Sequence, residues 1–192
     1  GSWPAIHGSV GALFTSFLVI PIINWMAKTL GKKKAFIIAQ SISIIGYILF
    51  WFLFVPGKPY LFIYALPFHS FGIGSLFTIM MSMTADICDL DELNTGKRRE
   101  GVLGAVYWWM VKFGFGIAAL LSGSILWFVG FDAEAVSESA VTGMRIFYSV
   151  LPIAGVIGAI LIMKDYDLTE EKSQEISKKL AIMRETKVGN NV

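Results

Sequence analysis

The stretch VLGAVYWWMVKFGFGIAALLSGSILWFV, residues 102–129, carries a single charge, Lys112, in an otherwise apolar run. A helix needs about 20 mostly apolar residues to cross a hydrocarbon core of about 30 Å, so a run of this kind predicts a transmembrane helix. Working outward, four more runs meet the same test, at residues 3–26, 35–55, 60–83 and 143–163. The expected fold class is an all-α membrane protein of about five transmembrane helices with a short C-terminal helix outside the bilayer.

Composition supports a lipid environment. Of the 192 residues 55% are hydrophobic and 16% charged, with a mean hydropathy of +0.66, far more apolar than an ordinary soluble domain. The bilayer is therefore an expected partner. A net charge of +2 is too weak for a nucleic-acid surface, and no nucleic-acid partner is expected. Cys88 is the single cysteine, which excludes an internal disulfide, and no Cys/His spacing suits a structural zinc, so neither a metal nor a cofactor is expected. Gly1 and Ser2 are not a translation start and run straight into apolar sequence, so they read as a cloning scar or a truncation point. There is no Walker-type glycine loop, no His-Glu-x-x-His and no serine nucleophile elbow, which leaves nothing to assign to an enzyme.

Basic residues alternate from side to side. Lys28, Lys32, Lys33 and Lys34 follow the first run, Lys97, Arg98 and Arg99 follow the third, and Lys164 follows the fifth. The positive-inside rule then predicts a cytoplasmic C-terminus and an external N-terminus. Residues 1–163 form the membrane bundle and residues 164–192 a cytoplasmic tail. In the tail, Thr169 with Glu170 and Glu171 has the pattern of an N-cap and an acidic first turn. Ile176, Leu180 and Met183 share one face of the helix that follows, as in a helix resting on the membrane or on the bundle, with a solvated tail as the alternative.

Within the membrane runs, Gly8 with Gly11, Gly72 with Gly74, Gly114 with Gly116, and Gly155 with Ala159 are spaced as for close helix packing. Pro67, followed by Phe68, His69 and Ser70, predicts a kink or an unwound turn near the middle of the third span. Lys112 lies about ten residues inside its span, roughly 15 Å deep at 1.5 Å per residue. A cation there costs at least about 2.5–3.5 kcal/mol, so it is expected to face a cavity or a carboxylate and to couple substrate and cation. No acid in the five runs lies at comparable depth, so the partner is expected on a missing segment. Trp108 is one turn from Lys112 and Tyr107 is slightly offset. Aromatic rings beside a hydrogen-bonding cation suit a sugar, although such rings often face lipid instead. His69, also at mid-depth, is a candidate ligand or a helix contact. The charged connector at residues 86–101 sets Asp86, Asp89, Asp91, Glu92 and Glu100 against Lys97, Arg98 and Arg99. It reads as a solvated loop or as a cytoplasmic gate closed by ion pairs, with Asp86, Asp89, Glu92, Arg98, Arg99 and Glu100 as the gate residues.

This connector resembles the glycoside-pentoside-hexuronide cation symporters, the melibiose-carrier-like branch of the major facilitator superfamily. The matching string is Ala85-Asp86, then Asp89-Leu90-Asp91-Glu92, then Thr95-Gly96-Lys97-Arg98-Arg99-Glu100-Gly101, continuing through Lys112 to Gly114, with Tyr166, Leu168 and Thr169 similar at the end. The resemblance implies that the spans are helices eight to twelve of a twelve-helix carrier. It implies that Lys112 lies beside the sugar and cation sites, and that Tyr107 and Trp108 contribute on the sugar side. It places the cation-binding aspartates on the N-terminal half, a missing partner without which this chain would not bind sodium competently. Leu90 departs from the family's frequent tyrosine, and Tyr107 and Trp108 replace smaller polar groups, which points away from melibiose itself. The implied activity is sugar or glycoside symport with Na⁺ or H⁺ by alternating access in a bacterial inner membrane. A carrier of an amphipathic lipid or another organic solute and a non-transporting membrane module are the alternatives.

Overall fold

The computed structural model describes residues 8–11, 13, 15–55, 57–58, 60–132 and 137–189. A π-helical turn, Thr15–Val19, leads into α1 (Ile20–Leu30), and Gly31, at φ 83°, turns the chain into α2 (Lys32–Leu53). A 3-10 turn, Leu61–Ala65, precedes α3 (Leu66–Thr95), followed by α4 (Glu100–Phe128), α5 (Glu138–Lys164) and α6 (Glu170–Gly189). Among the described residues, four segments are long and apolar enough to cross a membrane: Lys32–Leu53, Leu61–Thr95, Glu100–Phe128 and Glu138–Lys164. The first expected span, residues 3–26, falls partly outside the described residues, and its described end belongs to a shorter apolar helix, Phe17–Leu30.

Lipid tails are as apolar as leucine, so helices in a bilayer associate through close approach and hydrogen bonds rather than through the exclusion of water. The α2–α3 pair uses both. A Cβ on Gly46 would lie 2.6 Å from the backbone nitrogen of His69, and one on Gly72 would lie 2.7 Å from Ser43 Cβ. At that crossing the buried Gln40 donates from Nε2 to the Gly72 carbonyl at 3.2 Å and to Ser75 Oγ at 3.0 Å. Around it Val19, Ile23, Met26, Ala35, Phe36, Ile79, Met83 and Met163 form a buried cluster joining α1, α2, α3 and the end of α5. Gly114, Gly116 and Gly155, expected at tight crossings, have nothing within 4 Å of an added Cβ. For Gly114 and Gly116 the reason lies in α4, none of whose residues is buried.

Two expectations about α3 are corrected. Pro67 stands in the first turn of α3, directly after the 3-10 turn, where a missing N–H costs no helical bond, so it starts the helix instead of kinking its middle. At the other end the α-helix continues past the apolar run to Thr95, so Asp86, Asp89, Asp91 and Glu92 are helical and the connector shrinks to residues 96–99. Gly96 stops the helix in the left-handed region at φ 69°, its N–H donating to the Glu92 carbonyl at 2.8 Å. That conformation carries little penalty only without a Cβ.

Candidate functional site

At the charged end of α3 the acids take partners from three elements. Asp86, 9% exposed, accepts from Lys32 Nζ at 2.6 and 2.8 Å and from Ser173 Oγ at 2.8 Å. Glu92, 8% exposed, accepts from Arg98 at 3.2 Å and from Arg184 Nε at 3.1 Å. Arg98 also reaches Glu100 at 2.8 Å and Asp89 at 3.9 Å, while Arg99 donates from Nε to Asp91 at 2.8 Å. The six residues read as a gate are thus gathered at one end of the bundle, but not by pairing among themselves alone. The two most buried acids, Asp86 and Glu92, are held by Lys32 on α2 and by Ser173 and Arg184 on α6. Sequence spacing could not reveal Lys32, Ser173 or Arg184, because each lies tens of residues from its acid. The lysine cluster opening α2 was the one available hint.

The same end holds α6 in place. Thr169 Oγ1 accepts from the Lys172 N–H at 3.4 Å as a cap. Ile176 and Leu180 are 8% and 1% exposed, and α6 packs chiefly on α3. Lys33 donates from Nζ to the Lys164 carbonyl at 2.6 Å and to the Tyr166 carbonyl at 2.9 Å, closing the C-terminal end of α5 with a cation. Tyr166, just beyond that end, packs on the buried cluster, and its hydroxyl has no partner among the described residues. Burial, with Asp86 and Glu170 close by, pushes its phenol up to about 12.

Lys112 lies at the middle of α4, exposed, with no hydrogen-bond or ion-pair partner among the described residues. At 100° per residue it stands on the opposite side of α4 from Gly114, Ala118, Leu121 and Ile125. Trp108, 43% exposed, shares the Lys112 side. Tyr107 falls on the other, although its ring meets that of Trp108 edge-on at 5.4 Å. His69 belongs to a different place: half-buried between α2 and α3, it packs edge-on to Tyr47 at 5.3 Å and to Phe50 at 5.5 Å. The expected sugar residues are therefore not one cluster, and His69 sits in an aromatic helix contact.

A largely apolar cavity of about 690 Å³ opens between α2, α4 and α5, lined by Phe50, Phe54, Ile117, Leu121, Tyr148 and Pro152 among others, a volume within the usual range for small-molecule sites. Arg145 lines its edge and donates from Nε to the Phe54 carbonyl at 2.9 Å, at the end of α2. Neither Lys112, Trp108, Tyr107 nor His69 lines this space.

An all-α bundle with several membrane-length helices, an ion-paired cluster at one end and a lysine in the middle of a spanning helix has the make-up of a multi-pass membrane protein. Residues 3–170 match the family described as MFS/sugar transport protein, and the chain belongs to that family. It is 30% identical to the Glucuronide carrier protein homolog of Escherichia coli K12, over 81% of this chain and 34% of that protein. It is 28% identical to the Bacillus subtilis 168 protein described as Uncharacterized symporter YnaJ, over 93% of this chain and 38% of the relative. It is 27% identical to the Isoprimeverose transporter of Lactiplantibacillus pentosus, over 76% and 31%. These relatives are of the glycoside-pentoside-hexuronide kind that the motif at residues 85–101 indicated. The chain spans about a third of the length of each.

Proposed function

We propose that the chain serves a sugar or glycoside symporter that couples to Na⁺ or H⁺ and works by alternating access in a bacterial inner membrane, with the charged end of α3 cytoplasmic. The observation that carries this reading is Lys112, a cation at mid-span on the exposed side of a helix that buries nothing within the chain. A lysine left facing acyl chains is costly, so its natural surroundings are a polar cavity or an acid supplied by further helices of the carrier. Substrate then binds between these helices and the Lys112–Trp108 side of α4. Cation or proton binding at the acid changes what Lys112 sees, which couples the two sites through their different interactions in the two states. The ion-pair cluster on Asp86 and Glu92 closes the cytoplasmic side in one state. The more exposed pairs around them, Arg98 with Glu100 and Arg99 with Asp91, contribute only about 0–1 kcal/mol each, enough to bias an equilibrium of a few kcal/mol without freezing it.

In the carrier that contains this chain, Lys112→Ala should abolish concentrative sugar uptake into cells or proteoliposomes while leaving expression intact. Undiminished accumulation would sink the coupling role. Uptake that sugars fail to compete would point instead to a non-sugar carrier of the same fold.

A further inference from the structure

We infer that the groove between α2, α4 and α5 seats a further membrane helix, supplied by the part of the carrier outside this chain, and that this helix brings a hydrogen-bonding side chain to Ser149. The inference rests on the carrier reading above for the source of the helix, and it concerns the side of α4 turned away from Lys112.

The walls of the groove are unevenly held. α2 and α5 pack on each other, and Arg145 on α5 donates to the Phe54 carbonyl of α2 at 2.9 Å. By contrast, α4 meets the bundle sparsely and buries none of its residues. Its wall of the groove includes a ridge of small residues, Gly114, Ala118 and Ser122, at every fourth position. In lipid such a ridge lets a second helix approach closely and gain dispersion contact along its length. This chain leaves that approach unused at Gly114, where an added Cβ would have nothing within 4 Å.

The α5 wall carries the polar signal. Ser149 is 4% exposed and lines the groove, yet its hydroxyl has no hydrogen-bond partner among the described residues. Pro152, inside the same helix, has no N–H to give the Tyr148 carbonyl. The wall therefore presents a hydroxyl and a carbonyl short of its helical donor at one level. Unmet polar groups cost most where water does not reach them. Acyl chains could fill the groove, but they offer neither donor nor acceptor. A helix with Ser, Thr, Asn or Gln at this level offers both, and it can lie against the ridge. A helix roughly 10 Å across with a pitch of about 5.4 Å occupies roughly 420 Å³ per turn, so a groove of about 690 Å³ holds about one and a half turns. Seated there, the helix holds α4 from the side opposite Lys112.

The test uses the whole carrier in its own membrane, with protease sites flanking residues 1–192 and p-benzoylphenylalanine in place of Leu121, which lines the groove. Irradiation joins the probe to the C–H groups against it, and cleavage then frees this chain from the rest of the carrier unless the two are cross-linked. The expected product joins this chain to the remainder, and mass spectrometry should place the link on one membrane helix with Ser, Thr, Asn or Gln within a turn of it. Ile117, on the same wall, takes the probe if the first position disturbs folding. An adduct confined to residues 1–192, a link to a second copy of this chain, a phospholipid adduct, or no adduct at either position overturns the inference. Capture of a helix without such a polar residue overturns the bond to Ser149. The readout needs no transport: capture in a protein that fails to accumulate sugar would remove the carrier reading and keep the helix in its groove, and uptake without capture would do the reverse.

Discussion

Replacing Lys32 by Met should destabilise the chain more than replacing Asp86 by Asn, although the two changes break the same ion pair. The Lys32 side chain is 20% exposed and that of Asp86 11%. An exposed pair contributes about 0–1 kcal/mol, whereas stranding a buried charge costs about 3–5 kcal/mol. In Lys32→Met the Asp86 carboxylate keeps only the Ser173 hydroxyl and has no stem with which to reach water, so the expected loss is about 2–3 kcal/mol. In Asp86→Asn the amide oxygen still accepts from Ser173, and the lysine ammonium can extend toward solvent on its four-carbon stem, so about 1–2 kcal/mol is expected. The double variant leaves no stranded charge. It should be less damaged than the sum of the singles, with a coupling of at least about 1 kcal/mol, a factor of about five in the folding equilibrium. The assay is unfolding of the purified chain in dodecyl maltoside micelles titrated with SDS, followed by circular dichroism at 222 nm. Effects that add to within about 0.5 kcal/mol would refute the reasoning, because independent sites add and one shared pair does not.

Gly72→Ala should cost about 1–3 kcal/mol in the same titration, since its Cβ would meet Ser43 Cβ at 2.7 Å, whereas Gly114→Ala, with nothing within 4 Å, should be neutral or slightly stabilising. Leu180→Ala should loosen α6 from α3 by about 2–5 kcal/mol, which limited proteolysis would read as earlier cutting after Lys178 and Lys179. Tyr166→Phe should be neutral or stabilising, because the hydroxyl it removes is buried without a partner among the described residues. The Tyr166 phenol, pushed up to about 12, is held neutral more firmly in the folded chain than in the unfolded one. Its contribution to stability is therefore present below pH 10 and lost as pH rises from 10 toward 12, a loss that Tyr166→Phe should abolish in the alkaline melting curve.

The membrane class, the helix count over the described part and the family were legible in the sequence because each depends on local quantities. Run length against bilayer thickness is one such quantity, and residue types within a single stretch such as residues 85–101 are another. The cap at Thr169 and the apolar stripe of Ile176 and Leu180 were legible for the same reason, since a helical face repeats within a few residues. The end of α3 was misplaced because hydropathy marks where the bilayer ends, whereas a helix stops where its capping chemistry lets it, and that position is Gly96. Tertiary structure alone decided which cation meets which acid. Lys32, Ser173 and Arg184 reach Asp86 and Glu92 across tens of residues of chain, and nothing in a linear pattern ranks them above Lys97 or Lys34. Tertiary structure also separated residues that depth had grouped: His69 is drawn into the α2–α3 crossing by Gly46, while Lys112 is turned away on a helix with no buried face. Depth in a membrane can be counted along a chain, but facing depends on which neighbours pack around each helix.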